Sequence, residues 1–178
     1  MPVMTYRCRT CGQIHEGPPF SWVFATPFGW QLTTDPQSGC RGELYGEQAI
    51  LHCQDETSYF MLGNIVLPVT DSEGTFSFTV WVSLSEQNFR HSSEVWDDPR
   101  RVDEPPYFGW LSSEIPGYPT TIKLRTNVHT QVVGVRPHIK LEPTEHPLAV
   151  EQRQGITVSR VIEIAETMEA HMAAAGTG

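Results

Sequence analysis

The chain has 178 residues, about 39% of them apolar, which suffices for one hydrophobic core, and a single domain over residues 1–174 is the expectation. Its 21 acidic against 12 basic side chains give a net charge of -9, which repels phosphate backbones and anionic lipid heads and excludes both as general partners. No run approaches the roughly 18 continuous apolar residues of a membrane span, and no basic segment followed by an apolar run opens the chain, so a cytoplasmic protein is expected.

Near the start, YRCRTCGQIHEG spaces Cys8 and Cys11 so that a tight turn directs both sulfurs at one ion, with Gly12 letting the backbone bend behind them. In a reducing compartment the four cysteines are expected to be ligands or buried thiols rather than a disulfide framework. A closed zinc site needs two more donors, and Cys53 is the first choice, with Cys40 and His15 as the others. Inert reduced thiols and a redox pair are the competing readings, the latter disfavoured because Gly12 and the following Pro18 and Pro19 oppose the helix such pairs use. Arg7 and Arg9 beside the cysteines are too thin a footprint to make nucleic acid a partner.

From Gly17 to Gly39 proline and glycine break up regular structure, so the segment 6–53 reads as a knuckle followed by irregular, aromatic-rich chain. LYGEQAILHC and SYFMLGNIVLP read as two strands around the turn QDET, the second apolar on both parities and therefore central. TFSFTVWVSL alternates cleanly, with Phe76, Phe78, Val80, Val82 and Leu84 on one face. Ser83 and Ser85 both offer cap hydroxyls for a short helix in SEQNFRHSSEVW, Ser83 forming a capping box with Glu86. PPYFGWLSSEIPGYP is expected to be loop, and its aromatics, with Trp22, Trp30, Trp81 and Trp96, either complete the core or anchor a partner.

TTIKLRTNVH and VVGVRPHIKLE alternate and read as an antiparallel hairpin. Its buried face would take Ile122, Leu124, Val128, Val133, Val135, Ile139 and Leu141, and its polar face Lys123, Arg125, His129, Arg136, His138 and Lys140. Four cations on one face of an acidic chain can hold a carboxylate or phosphate, so Lys123, Arg125, Arg136 and Lys140 are the candidate ligand-binding residues. Solvation, or neutralisation by Glu163, Glu166 and Glu169 of the last helix, is the plainer alternative. LEPTEHPLAVEQ crowds Glu142, Glu145, His146 and Glu151 into a proline-bounded turn, and His129, His146 and Glu142 are the acid/base candidates if the protein is an enzyme. TVSRVIEIAETMEAHM places Val158, Val161, Ile162, Ala165, Met168 and Met172 on one helical stripe over 157–173, capped by Thr157.

These strings, YRCRTCGQIHEG, VWVSLSEQNF, PPYFGWLSSEIPGYP, VHT and LEPTEHPLAVEQRQGIT, together resemble the uncharacterised bacterial family domain of unknown function 2199, over about Tyr6 to Glu166. The resemblance implies a further cysteine on the strand before FMLGNIVLPV, whose place here is either taken by Ala49 or displaced to Cys53. No activity follows from it. The expected architecture is α+β: a mostly antiparallel sheet core at 58–142 with one short helix, a longer C-terminal helix, and an N-terminal zinc-knuckle-like segment. The expected role is binding of an unidentified protein or small anionic ligand, with zinc structural; the alternative is an enzyme acting on a small anion over the 120–142 face.

Overall fold

The structure is a computed structural model that describes residues 5–7, 12–16 and 20–176. Two short strands, β1 (Thr5–Arg7) and β2 (Ile14–Glu16), pair antiparallel across the stretch that holds Cys8 and Cys11, with Thr5 opposite Glu16. The rest of the chain builds an α+β fold around one sheet of eight strands.

At its centre lies the hairpin of β6 (Thr57–Pro68) and β7 (Thr75–Leu84), paired from Tyr59↔Leu84 to Pro68↔Thr75. The alternation of TFSFTVWVSL is realised as expected: Phe76, Phe78, Val80, Val82 and Leu84 are all buried on one side. β8 (Tyr107–Leu111) pairs with the end of β7, β9 (Arg125–His129) with β8, β10 (His138–Leu141) with β9, and β10 returns to β6 at His138↔Asn64. Five strands thus close into a ring, and the closure is tight. A Cβ on Gly63 would lie 2.6 Å from Ile139 Cδ1, and one on Gly109 would lie 2.4 Å from Val82 Cγ1, so only hydrogen fits at these two crossings.

β3 (Ser21–Val23) extends the first half of β7, in parallel, while β4 (Arg41–Tyr45) and β5 (Gln48–His52) form a hairpin on the first half of β6. The sheet is therefore antiparallel except at β3–β7 and β10–β6. The run LYGEQAILHC, expected as one strand, folds back on itself at Gly46, which takes φ 61° at the turn. The segment from Phe24 to Cys53 covers the outside of the ring, burying Phe60, Leu62 and Trp81 against Ala49 and Leu51. On the other side the large core gathers the inward strand residues with Leu148, Val161, Ile164 and Met168 from the helices.

Among the described residues there are three α-helices, one more than expected. α1 (Glu86–Glu94) is capped by Ser85, whose side chain accepts from the Asn88 amide at 3.1 Å; Ser83, the other expected cap, lies within β7. α2 (Pro147–Gln154) arises from the stretch read as a turn. Pro147 suits the first helical position, where no amide bond is lost, and the cap is the His146 ring, whose Nδ1 accepts from the Leu148 amide at 3.2 Å. α3 (Val158–Ala175) starts at Thr157 as expected and buries Val161, Ile164, Ala165 and Met168, whereas Met172 at the far end is exposed. No helix of the described residues is long and apolar enough to cross a membrane.

The hairpin expected over 120–142 is shorter than its alternating stretch. Its strands are only Arg125–His129 and His138–Leu141, and the connection holds Val133 and Val135 exposed rather than buried, with Val132 exposed beside them. Those valines have no sheet to pack on, because Gly134, at φ 85°, turns the chain before the second strand begins. Conversely, the expected loop PPYFGWLSSEIPGYP contains β8: YFGWL alternates buried and exposed, with Tyr107, Gly109 and Leu111 inward.

Candidate functional site

The four candidate cations do not form one patch. Arg125 lies 3.1 Å from Glu142 and sits over the rings of Phe108 and Trp110 at 5.4 and 5.9 Å. Arg136 donates from Nε to Glu47 at 2.6 Å, across from the β4–β5 turn. These acids, not those of the last helix, neutralise the two arginines; Glu163 faces Arg160 instead, at 3.3 Å. Lys140 is exposed on β10, opposite Asn127. Lys123 has left the strand altogether.

Lys123 occupies the position that decides the local geometry. Its amide donates to Leu111 O at 2.8 Å, and the Leu111 amide donates to Leu124 O at 2.8 Å, so that two residues of the chain leading into β9 face one residue of β8. This is a bulge whose first residue must be left-handed, a place usually taken by glycine. Lys123 takes φ 64° there, the one non-glycine residue with positive φ among the described residues. A left-handed lysine held by its surroundings is strained backbone of the kind that gathers at ligand sites.

Lys123 lines a cleft of about 560 Å³ where the outer face of the ring meets the covering segment. Its apolar walls are Phe28, Phe60 and Trp110, of which Trp110 keeps 41% of its surface exposed. Phe28 is fastened to the other wall by its amide, which donates to Ser112 O at 2.7 Å. Ser83 and Ser112 both direct their hydroxyl protons to Trp110 O, at 3.4 and 3.1 Å, which leaves their oxygen lone pairs to accept from a ligand. Ser58 and Glu56 complete the polar lining. Lys123 makes no ion pair among the described residues, so the ammonium is available to an incoming anion.

The acid/base candidates lie apart. His129 ends β9 opposite His138, while Glu142 is held by Arg125 beyond the opposite end of the same strand. Burial, then Lys140, then His138 hold the His129 ring below the ordinary histidine value. His146 has both nitrogens committed: Nδ1 accepts from the Leu148 amide and Nε2 donates to Pro119 O at 3.2 Å. It stacks on Tyr118, which also donates to Glu151 and lies under the Arg160 guanidinium at 5.4 Å, so that this cluster fastens the 112–121 loop to α2 and α3.

Of the metal candidates, Cys8 and Cys11 lie outside the described residues, as does the side chain of His15. Cys53, the first choice for a third ligand, is instead bonded to Cys40. The register explains it. Arg41 pairs with His52, so the next opposed pair along the hairpin is Cys40 with Cys53, whose Cα atoms are 4.2 Å apart. Among the described residues no group of three or more His, Cys, Asp or Glu is placed to hold a metal ion.

Sequence reasoning separated Lys123 from the apolar positions but gave no sign of its bulge, and did not single out Phe28, Ser58 or Ser112. Trp110 was visible as part of an aromatic string, and the alternation in YFGWL was the signal that would have placed it on an outward strand face.

A family model described as an uncharacterized protein conserved in bacteria (DUF2199) matches residues 7–156. The chain belongs to this family. The match runs from β1 to the end of α2, so the cleft and the whole ring of strands lie in the DUF2199 region. No curated protein and no solved structure matches the chain.

Proposed function

We propose that this DUF2199 protein is a binding module that takes a small organic acid with a flat apolar body into the Lys123 cleft. The observation that carries the reading is the strained lysine: φ 64° at a bulge, with no ion pair among the described residues, beside an exposed tryptophan. The carboxylate of the ligand meets the ammonium, its ring lies along Trp110 and Phe28, and the serine oxygens accept from its donors. Glu56 at the same cleft favours a ligand that also carries an amine. Acid/base catalysis is no part of this reading, since His129, His146 and Glu142 serve three different places.

Phenylacetate and phenylalanine test it, since they share ring and carboxylate and differ in an ammonium group for Glu56. Both should perturb Trp110 fluorescence saturably, phenylalanine at lower concentration. A charge-assisted bond of about 1.5–3 kcal/mol makes Lys123→Ala bind at least about tenfold more weakly. Binding unchanged in Lys123→Ala would refute the assignment.

A second reading concerns the N-terminus. The antiparallel pairing of β1 with β2 brackets Cys8 and Cys11 as a metal knuckle requires, and a structural zinc held by those two sulfurs is proposed on that basis. Its remaining donors do not include Cys53 while that sulfur is bonded to Cys40. Elemental analysis of protein purified without chelator should find stoichiometric zinc that is lost in Cys8→Ser; metal-free protein would retire the zinc.

A further inference from the structure

The ring of strands has one weak joint. β10 meets β6 only at His138↔Asn64, and past that pair the two strands part. Along β6 the amides of Leu62 and Asn64 donate away from β7, to Glu47 O and Pro137 O, both at 2.8 Å. Strand alternation turns the Val66 amide to the same edge. A continuing parallel ladder would join Val66 to Ile139 O and the Leu141 amide. Both are taken by the Gln152 side chain of α2: Nε2 donates to Ile139 O, and the Leu141 amide donates to Oε1, each at 2.8 Å. A carboxamide thus stands in for a peptide group of β6, and among the described residues Val66 has no strand partner on that edge.

The gap this leaves is a crevice of about 270 Å³, lined by Asn64, Val66, His138, Lys140, Gln152 and Arg153 among others. Its polar groups are almost all donors. Thr79 donates to Asn64 Oδ1 at 2.8 Å, which orients that amide and leaves its Nδ2 protons free. Arg153 is tied by Nη2 to Thr144 O at 3.0 Å, and Lys140 makes no ion pair among the described residues. No lining side chain is acidic, in a chain of net charge -9. Glu142, next along from Leu141, is turned to Arg125.

From this geometry we infer that the crevice between β6 and β10 is a second ligand site, distinct from the Lys123 cleft, and that its ligand is a phosphate group. A sheet edge with a free amide, an oriented carboxamide, a lysine and an arginine supplies the donors that a tetrahedral dianion accepts. The phosphate is either free or a monoester on a small molecule, since the crevice opens to the outer face of the sheet on which Lys140 stands.

The test is a titration of the full chain with inorganic phosphate at constant ionic strength, followed by the nitrogen-15 resonances of the Val66 amide and the Asn64 side chain. Both should shift saturably, and Lys140→Ala/Arg153→Ala should weaken binding by about tenfold or more, whereas Lys123→Ala should leave it unchanged. Glycerol phosphate distinguishes the sources: tighter binding than inorganic phosphate assigns the site to monoesters, weaker binding to the free ion. Because both replaced side chains are exposed, the double variant should keep its fold, and the single changes Lys140→Gln and Arg153→Gln provide a check. Shifts spread over the whole surface, or unaffected in the double variant, would show that phosphate merely screens charge and would overturn the assignment.

Discussion

Replacing Lys123 by glycine should make the protein more stable while removing its ligand. A left-handed residue that carries a Cβ costs about 1–2 kcal/mol relative to a right-handed one. Glycine relieves that cost but loses about 0.5–1 kcal/mol through the greater freedom of the unfolded chain. Lys123 forms no ion pair among the described residues, so truncation forfeits no charge interaction, and the net gain is about 0.5–1 kcal/mol. For a chain of this length that raises the melting temperature by about 1–4 °C. Lys123→Ala is the control, because it loses the ammonium but keeps the Cβ and the strain, and should be no more stable than the parent. Thermal melts and urea unfolding of the three proteins, with phenylacetate binding measured in parallel, give the comparison. If Lys123→Gly melts below the parent, or Lys123→Ala gains as much as the glycine variant, the strain is not stored at φ 64° and the case for a selected lysine collapses.

Three more outcomes follow from the fold. The bond between Cys40 and Cys53, separated by 13 residues, closes a loop worth about 3 kcal/mol by chain entropy; Cys40→Ser/Cys53→Ser should lose stability of that order in urea, as should the parent under reductant. Gly109→Ala would force a methyl group to 2.4 Å from Val82 Cγ1 and 2.7 Å from Ser83 O, and should cost about 2–3 kcal/mol in the same assay, with Gly63→Ala behaving alike. His129 is held below its ordinary value of 6.5 by burial and by Lys140 and His138, so the unfolded chain takes up the proton first. Its contribution is complete above that value and is lost as pH falls through it towards the lower folded value; His129→Gln should flatten this part of the stability profile, and an unchanged slope would contradict it.

What could be read in the sequence was whatever repeats with a clear period and is bounded by ordinary signals. β7 and α3 met both conditions, with TFSFTVWVSL alternating over its full length and Thr157 accepting from the Arg160 amide. β8 did not, because five alternating residues are outweighed by prolines on both sides, and α2 did not, because a histidine is not among the usual caps. The cross-strand pair of Cys40 and Cys53 was hidden by one missed turn: once Gly46 folds the run back, the register fixes the pairing. Parity correctly placed Arg125, His129, His138 and Lys140 on one outward face. It could not show that Glu142 and Glu47 arrive from elsewhere to occupy the arginines, which is a matter of tertiary placement.

Both candidate sites lie where the ring departs from a regular ladder, and the departures have a common physical origin. Closing five strands requires a joint where the hydrogen-bond register no longer matches and a bend where the strand count changes. At the bend a bulge inserts Lys123, which places this residue at the cleft beside Trp110 instead of on the polar face of the strand. At the joint β10 and β6 separate, and Gln152 satisfies the Ile139 carbonyl and the Leu141 amide but leaves Val66 facing a gap. Replacing Gln152 by leucine should therefore separate structure from binding. The carbonyl of Ile139 and the amide of Leu141 would lose their partners at a cost of about 1–3 kcal/mol, while the donors of the crevice, all on other residues, would remain. Retained phosphate binding in a destabilised Gln152→Leu protein would show that the carboxamide closes the ring and that the crevice is the consequence of that closure.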